Sequence, residues 1–176
     1  MLNSDLVLEY LNLYNQGEES STERFLFKHV SPALQQRGEY LQEEFLQVCD
    51  WKTTRTRSLV RSNNPSQIAE VTRMAFQCSD DLRVPVLSIL RGVSTPTASA
   101  LLTVWKPDEY TIIDFRVLSA LSNLSHEAIA KTDLTRAQKS YIDYLILMKT
   151  LSESVGCDLR SLDKALWMFD KCNSKI

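Results

Sequence analysis

Two short stretches of this 176-residue chain hold residue types at spacings that can do chemistry. The first is Leu90-Arg91-Gly92-Val93-Ser94-Thr95-Pro96-Thr97-Ala98. It reads as a helix ended by Gly92, a tight hairpin, and a second helix opened by Pro96. Such a hairpin brings backbone N–H groups and the positive end of a helix dipole to the surface, an arrangement suited to an anion. For DNA the anion is a backbone phosphate, contacted without regard to sequence. The second stretch, Ile113-Asp114-Phe115-Arg116-Val117, sets a carboxylate two residues from a guanidinium. A fixed carboxylate stabilises positive charge developing on a sugar and orients or deprotonates water. Asp114 also begins a helix expected over 114–122, where it can act as the N-cap, and the residues alone leave both roles open.

Supporting residues fall around these two. Trp51, Trp105 and Tyr110, with Trp167 behind them, are the aromatic candidates for lining a base pocket, in competition with core packing. Trp51-Lys52-x-x-Arg55 sets an aromatic beside two cations, so Lys52 and Arg55 are expected to face a pocket or a nucleic-acid backbone. Arg116 can pair with a phosphate, with Asp163 or with another carboxylate, and Asp163 is a second acid candidate. Cys49, Cys78, Cys157 and Cys172 are scattered, without a C-x-x-C pair, and His29 and His126 are far apart. No metal site is expected; the cysteines read as small buried hydrophobes and His126 as a capping or surface residue.

Taken together, the hairpin and the aspartate stretch resemble the helix-hairpin-helix DNA glycosylase superfamily, the all-α base-excision enzymes that include endonuclease III and AlkA. Leu90, Gly92, Val93, Thr97 and Ala98 match the family's hairpin, and Ile113-Asp114 with Val117 matches its I/V-D-x-x-V motif at the right separation. The resemblance implies excision of a damaged or modified base from duplex DNA after base flipping, with Asp114 as the catalytic carboxylate. It implies DNA contacts from Gly92, Val93, Ser94, Thr95 and Thr97, joined by Arg55, Arg91 and Arg116, and a monovalent cation at the hairpin. Pro96 stands where the family's lyases hold a lysine, which implies a monofunctional glycosylase; Lys52 is a candidate to replace that lysine. Ser94 replaces a second hairpin glycine. The cysteine quartet of the iron–sulfur members is absent, so no cluster is expected.

The elements that must position these residues are helices. Apolar residues recur at helical spacing over 4–15 (Leu6, Leu8, Leu11, Leu13 and Tyr14 after the cap Ser4), 38–50, 65–78, 80–91 and 96–106. A polar connector is expected over 17–23. The pattern resumes over 114–122, 125–131, 134–155 and 159–172, with Gly156 as a left-handed cap. Within 65–78, Asn64 is the expected cap and Ile68, Val71, Met74 and Ala75 the inward face. Tyr110 to Ile113 is strand-like but short enough to be an extended connector. With 4 Gly, 5 Pro and 44% hydrophobic residues, the composition points to one all-α domain. No apolar run reaches the length of a membrane span and no signal segment opens the chain, so a cytoplasmic monomer is expected.

The net charge of −2 is a misleading average. Residues 1–50 carry 9 acidic and 3 basic side chains, whereas 51–91 carry 3 acidic and 7 basic, including the run Lys52, Arg55, Arg57 and Arg61. Charges beyond a Debye length of roughly 8–10 Å are screened, so a basic segment can meet phosphate within an acidic chain. Two other classes fit the same residues: a hairpin module that binds DNA without cleaving it, and a helical protein-interaction domain using the acidic first 50 residues.

Overall fold

A computed structural model of the protein describes residues 2–128 and 135–174. These are helical with irregular connections and contain no strand, so the fold is all-α. No helix among them is long and apolar enough to cross a membrane. Where the length suggests one domain, the chain divides into two compact units, one from Met1–Glu19 with Asp108–Ile176 and one from Ser20–Pro107.

The Ser20–Pro107 unit contains α2 (Ser21–Phe25), a π-helical turn at Leu26–Val30, α3 (Ser31–Arg37), α4 (Gln42–Lys52), α5 (Arg57–Val60), α6 (Pro65–Gln77), α7 (Asp80–Leu87) and α8 (Thr95–Trp105). The expected connector over 17–23 is therefore partly helix, and Glu23 within it is buried. Local chemistry sets several bounds. Asn64 Oδ1 accepts the Ser66 N–H at 2.9 Å and Pro65 opens α6, as the sequence predicts. Gly38 ends α3 in the left-handed region. Every residue of α8 from Thr97 to Trp105 is buried, so this helix lies at the centre of the unit, covered all round. Its hydroxyls are satisfied inside the helix: Ser99 donates to the Pro96 carbonyl and Thr103 to that of Ser99. Small Ala98, Ser99 and Ala100, all fully buried, leave room for its neighbours. Tyr40 precedes α4 and is wholly buried; its N–H reaches Thr72 Oγ1 and its hydroxyl donates to the Leu101 carbonyl at 2.8 Å. Met74, expected inward, is exposed.

The other unit contains α1 (Ser4–Gly17), α9 (Phe115–Ala128), α10 (Tyr141–Val155) and α11 (Leu159–Asn173). Asn3, not Ser4, caps α1 by accepting the Leu6 N–H at 2.9 Å, which leaves Ser4 to donate to the Val155 carbonyl at 2.8 Å. The inward face of α1 is Val7 and Tyr14; Leu8 and Leu13 are exposed, so the broad apolar stripe overstates the buried face. Tyr14 meets Trp167 edge-on at 5.7 Å and Tyr10 meets Phe169 at 5.2 Å, joining α1 to α11. Helix α9 is continuous through Ala128, without the break expected near 123; the rest of the 125–131 helix and the His126 side chain lie outside the described residues. Residues 135–137 are helical, but 138–140 break the helix expected over 134–155; Ser140 caps α10, and Gly156 ends it at φ +70 as expected. Of the cysteines only Cys49 is buried, its thiol pushed up to about 12 by burial and then by Asp50; Cys78 and Cys157 are half-buried and Cys172 is exposed.

Tyr110 to Ile113 is the extended connector rather than a strand, and all four residues are buried. Its carbonyls have no neighbouring strand, so α10 supplies donors. Tyr141 Oη donates to the Thr111 carbonyl at 3.0 Å and Tyr144 Oη to that of Ile112 at 2.8 Å. Burial pushes the Tyr144 phenol well above its ordinary range, followed by the charge of Asp163, so it remains a donor at neutral pH. Tyr144→Phe keeps the ring and strands the Ile112 carbonyl, at an expected cost of about 1–3 kcal/mol in denaturant unfolding. A change within the about 0.5 kcal/mol of neutral surface substitutions would remove the phenol from this role.

Candidate functional site

The hairpin lies in the Ser20–Pro107 unit. Helix α7 ends at Leu87 rather than at Gly92, because the chain tightens into three-residue turns, Ile89 N–H to the Val86 carbonyl and Leu90 N–H to that of Leu87, both at 3.1 Å. Gly92 sits beyond them at φ +80. A Cβ there would lie 2.9 Å from Leu59 Cβ and from Val60 Cγ1, and 3.0 Å from the Val60 backbone nitrogen. Glycine is thus required twice, by conformation and by the α5 backbone against it.

Asn63, buried to 3% exposure, locks the same turn. Its Oδ1 accepts the Arg91 N–H at 2.8 Å, and its Nδ2 donates to the Arg91 carbonyl at 3.0 Å and to that of Val60 at 2.9 Å. One side-chain amide therefore stands in for a missing backbone partner. The sequence reading missed Asn63; an Asn directly before the Asn64–Pro65 helix start is a cap-like signal that does not reveal a partner 28 residues away.

These bonds also decide which hairpin groups remain for an anion. The Arg91 N–H is held by Asn63 and the Val93 N–H by the Leu90 carbonyl. Ser94 is exposed and occupies the N-cap position of α8 without a side-chain cap bond. Pro96 has no N–H, so Thr95 and Thr97 supply the first-turn backbone donors of α8. Arg91 is exposed, whereas Thr97 is buried, backbone included, so the expected DNA contact from Thr97 is not accessible and Thr95 is the half-exposed first-turn donor.

Asp114 and Arg116 lie in the other unit. Asp114 is half-buried; its Oδ1 accepts the Arg116 N–H at 3.0 Å and its carbonyl accepts from Leu118 at 3.0 Å, so it caps α9. Arg116 Nη1 donates to Asp170 Oδ2 at 3.0 Å, and its guanidinium lies 5.2 Å from the Phe115 ring and 5.4 Å from that of Trp167. Its carboxylate partner is therefore Asp170 on α11, while Asp163, the second acid candidate, is buried and paired with Arg160. Burial raises the Asp170 carboxyl, but bonds from Ser119, Ser174 and Arg116 outweigh it and hold the group below its ordinary value.

Of the aromatic candidates, Trp105 and Tyr110 are core residues, 7% and 2% exposed. Trp105 stacks flat on Phe76 at 4.0 Å, with Lys106 and Arg83 over its ring at 4.8 and 5.2 Å. Trp51 differs: it is half-buried and borders a groove of about 550 Å³ within the Ser20–Pro107 unit. The cations lining that groove are Arg57 and Arg61 rather than the expected Lys52 and Arg55. Lys52 ends α4 half-buried, and Arg55 is exposed on the following loop.

No protein-family model, curated protein or solved structure matches this chain. Among the described residues, no group of three or more His, Cys, Asp or Glu side chains is placed to hold a metal ion. The acidic N-terminal stretch is largely consumed internally, Glu18 by Lys171, Glu19 by Lys164, Glu39 by Arg73 and Glu44 by Arg37.

Two measurements test the framework of these stretches. Gly92→Ala should cost at least about 2 kcal/mol, since it meets both a positive φ and a backbone atom. Gly156→Ala, with open space around its Cβ and only the left-handed conformation against it, should cost about 1 kcal/mol. Equal losses would show that the contact with α5 adds nothing. Asp170, whose folded-state value is depressed, contributes stability above the unfolded carboxylate range near about 4, and this is lost as pH falls through its folded value. Asp170→Asn should destabilise the protein at pH 7 and remove that part of the acid dependence; an unchanged acid unfolding profile would contradict the assignment.

Proposed function

We propose that the protein is a monofunctional DNA glycosylase that hydrolyses the bond between a damaged or modified base and its sugar in duplex DNA. The observation that carries this reading is the hairpin: a glycine at φ +80 pressed on α5, a turn clamped by Asn63, and a following helix with the Thr95 N–H at its start. A clamped turn leading into a helix N-terminus is an arrangement that suits a phosphate. The motif around Asp114 supplies the chemistry. With the target base out of the stack, the C1′–N bond breaks and the base leaves with the bonding electrons. Asp114 stabilises the positive charge on the sugar and accepts the proton of the water that adds to C1′, leaving an abasic site. The exposed Arg91 adds a backbone phosphate contact. Arg116 serves chiefly to fix the start of α9 through Asp170, and no step is assigned to Lys52. Neither an iron–sulfur cluster nor a metal ion is part of the proposal. The same reaction serves base-excision repair and defence against phage DNA carrying modified bases.

The cap bond from Arg116 N–H to Asp114 favours a second reading, in which the aspartate is structural and the hairpin belongs to a non-catalytic DNA-binding module. Duplexes carrying a panel of alkylated, oxidised, deaminated and hypermodified bases, treated with alkali after incubation, separate the two. At least one duplex should be cut, and Asp114→Asn should slow it by about 100-fold or more. Cleavage of no panel member, or equal cleavage by the variant, overturns the enzymatic reading. Salt-sensitive duplex binding without cleavage would then leave the module.

A further inference from the structure

The groove beside Trp51 is built from two neighbouring elements of one unit. Along α4, Glu43, Gln47, Asp50 and Trp51 recur at i, i+4, i+7 and i+8, which puts them on one face. Arg57 and Arg61, at the start of α5 and just past its end, line it beside Asp50. At about 550 Å³ the groove falls within the usual range for small-molecule sites.

Its chemistry is specific. Asp50 holds both arginines at once, Oδ1 accepting from Arg57 Nε at 2.9 Å and Oδ2 from Arg61 Nη2 at 3.1 Å. One carboxylate thus orients two guanidinium groups, and with Glu43 also on the lining the groove's two positive and two negative side chains balance. Arg57 bonds Asp50 through Nε and Arg61 bonds it through Nη2, one nitrogen of each guanidinium. Both side chains are about half exposed, 48% and 55%, while Asp50 is 23% exposed. Paired guanidinium forks held in place are the preferred arrangement for a phosphate, because the cost of ordering long side chains is met before the ligand arrives. Trp51 is fixed in turn by an edge-to-face contact with Phe27 at 5.9 Å and 80°. Gln47 and Glu43 add donors and an acceptor along the same face, suited to the edge of a base.

We propose that this groove binds a nucleotide, with its phosphate on Arg57 and Arg61 and its base against Trp51. Phosphate and base are shared by a free mononucleotide and by one residue of a DNA strand, and the test separates these sources. The site does not depend on cleavage by Asp114.

Binding is followed by the indole N–H resonance of Trp51 in the intact protein, titrated with deoxyadenosine 5′-monophosphate, a ten-residue single-stranded deoxyadenylate, or inorganic phosphate. Saturable shifts with the mononucleotide identify a free nucleotide as sufficient; shifts with the oligonucleotide alone identify a residue within a strand. In either case Arg57→Gln and Arg61→Gln should each weaken binding about tenfold. Trp51→Leu, followed through backbone resonances of α4, should weaken it at least fivefold, as loss of one base–aromatic stack of about 1–3 kcal/mol requires. Both arginines are exposed enough to be replaced without unfolding, which circular dichroism checks. The proposal is overturned if neither nucleotide ligand binds, or if the arginine variants bind as wild type. It is equally overturned if inorganic phosphate binds as tightly as the nucleotides. Asp114→Asn should bind unchanged, so loss of cleavage and loss of this site are read independently.

Discussion

A helix closes its own backbone hydrogen bonds, but the turns between helices do not, and a buried turn in an all-helical chain has no strand to pair with. This constraint governs both stretches that carry candidate chemistry. In the hairpin, the amide of Asn63 takes the N–H and the carbonyl of Arg91 together. Before Asp114, the phenols of Tyr141 and Tyr144 take the carbonyls of Thr111 and Ile112. Each such group left bare costs about 1–3 kcal/mol, against a total stability of about 5–15 kcal/mol for a typical domain. The turns are therefore held rigid by the same side chains that make their burial tolerable.

Charge follows a similar economy. The acidic beginning of the chain and the basic stretch after it look like opposed surfaces in sequence, yet many of these groups pair within their own unit. Glu18 and Glu19 hold lysines of α11, while Asp50 gathers Arg57 and Arg61. The interaction-surface reading of the first 50 residues loses much of its free charge in this way. The basic run divides into Lys52, half-buried at the end of α4, Arg55 exposed on a loop, and an oriented pair of arginines beside Trp51.

Asp114 has a clear local role, and the same carboxylate is the one proposed for the chemistry. Its Oδ1 closes the first turn of α9, and a capping carboxylate is also a fixed carboxylate, which is what charge stabilisation on a sugar requires. Arg116, two residues on, is tied to Asp170, so the start of the helix is held from α11 as well as by its own cap.

Much of the helical framework was legible in the chain itself: Asn64–Pro65 opening α6, Pro96 in the first turn of α8, and Gly156 closing α10. These are local signals, set by the torsions of proline and glycine and by cap bonds a few residues apart, and they determined the all-α class. Hydrophobic periodicity misplaced Leu8, Leu13 and Met74, because it records which faces can be buried and not which are covered. The end of α7, the partners of Arg116 and Asp163, the clamp at Asn63 and the groove at Trp51 were decided only by the tertiary structure. Several of those interactions join residues far apart in sequence, 28 positions for Asn63–Arg91 and 54 for Arg116–Asp170, and spacing along a chain carries no information about such a meeting.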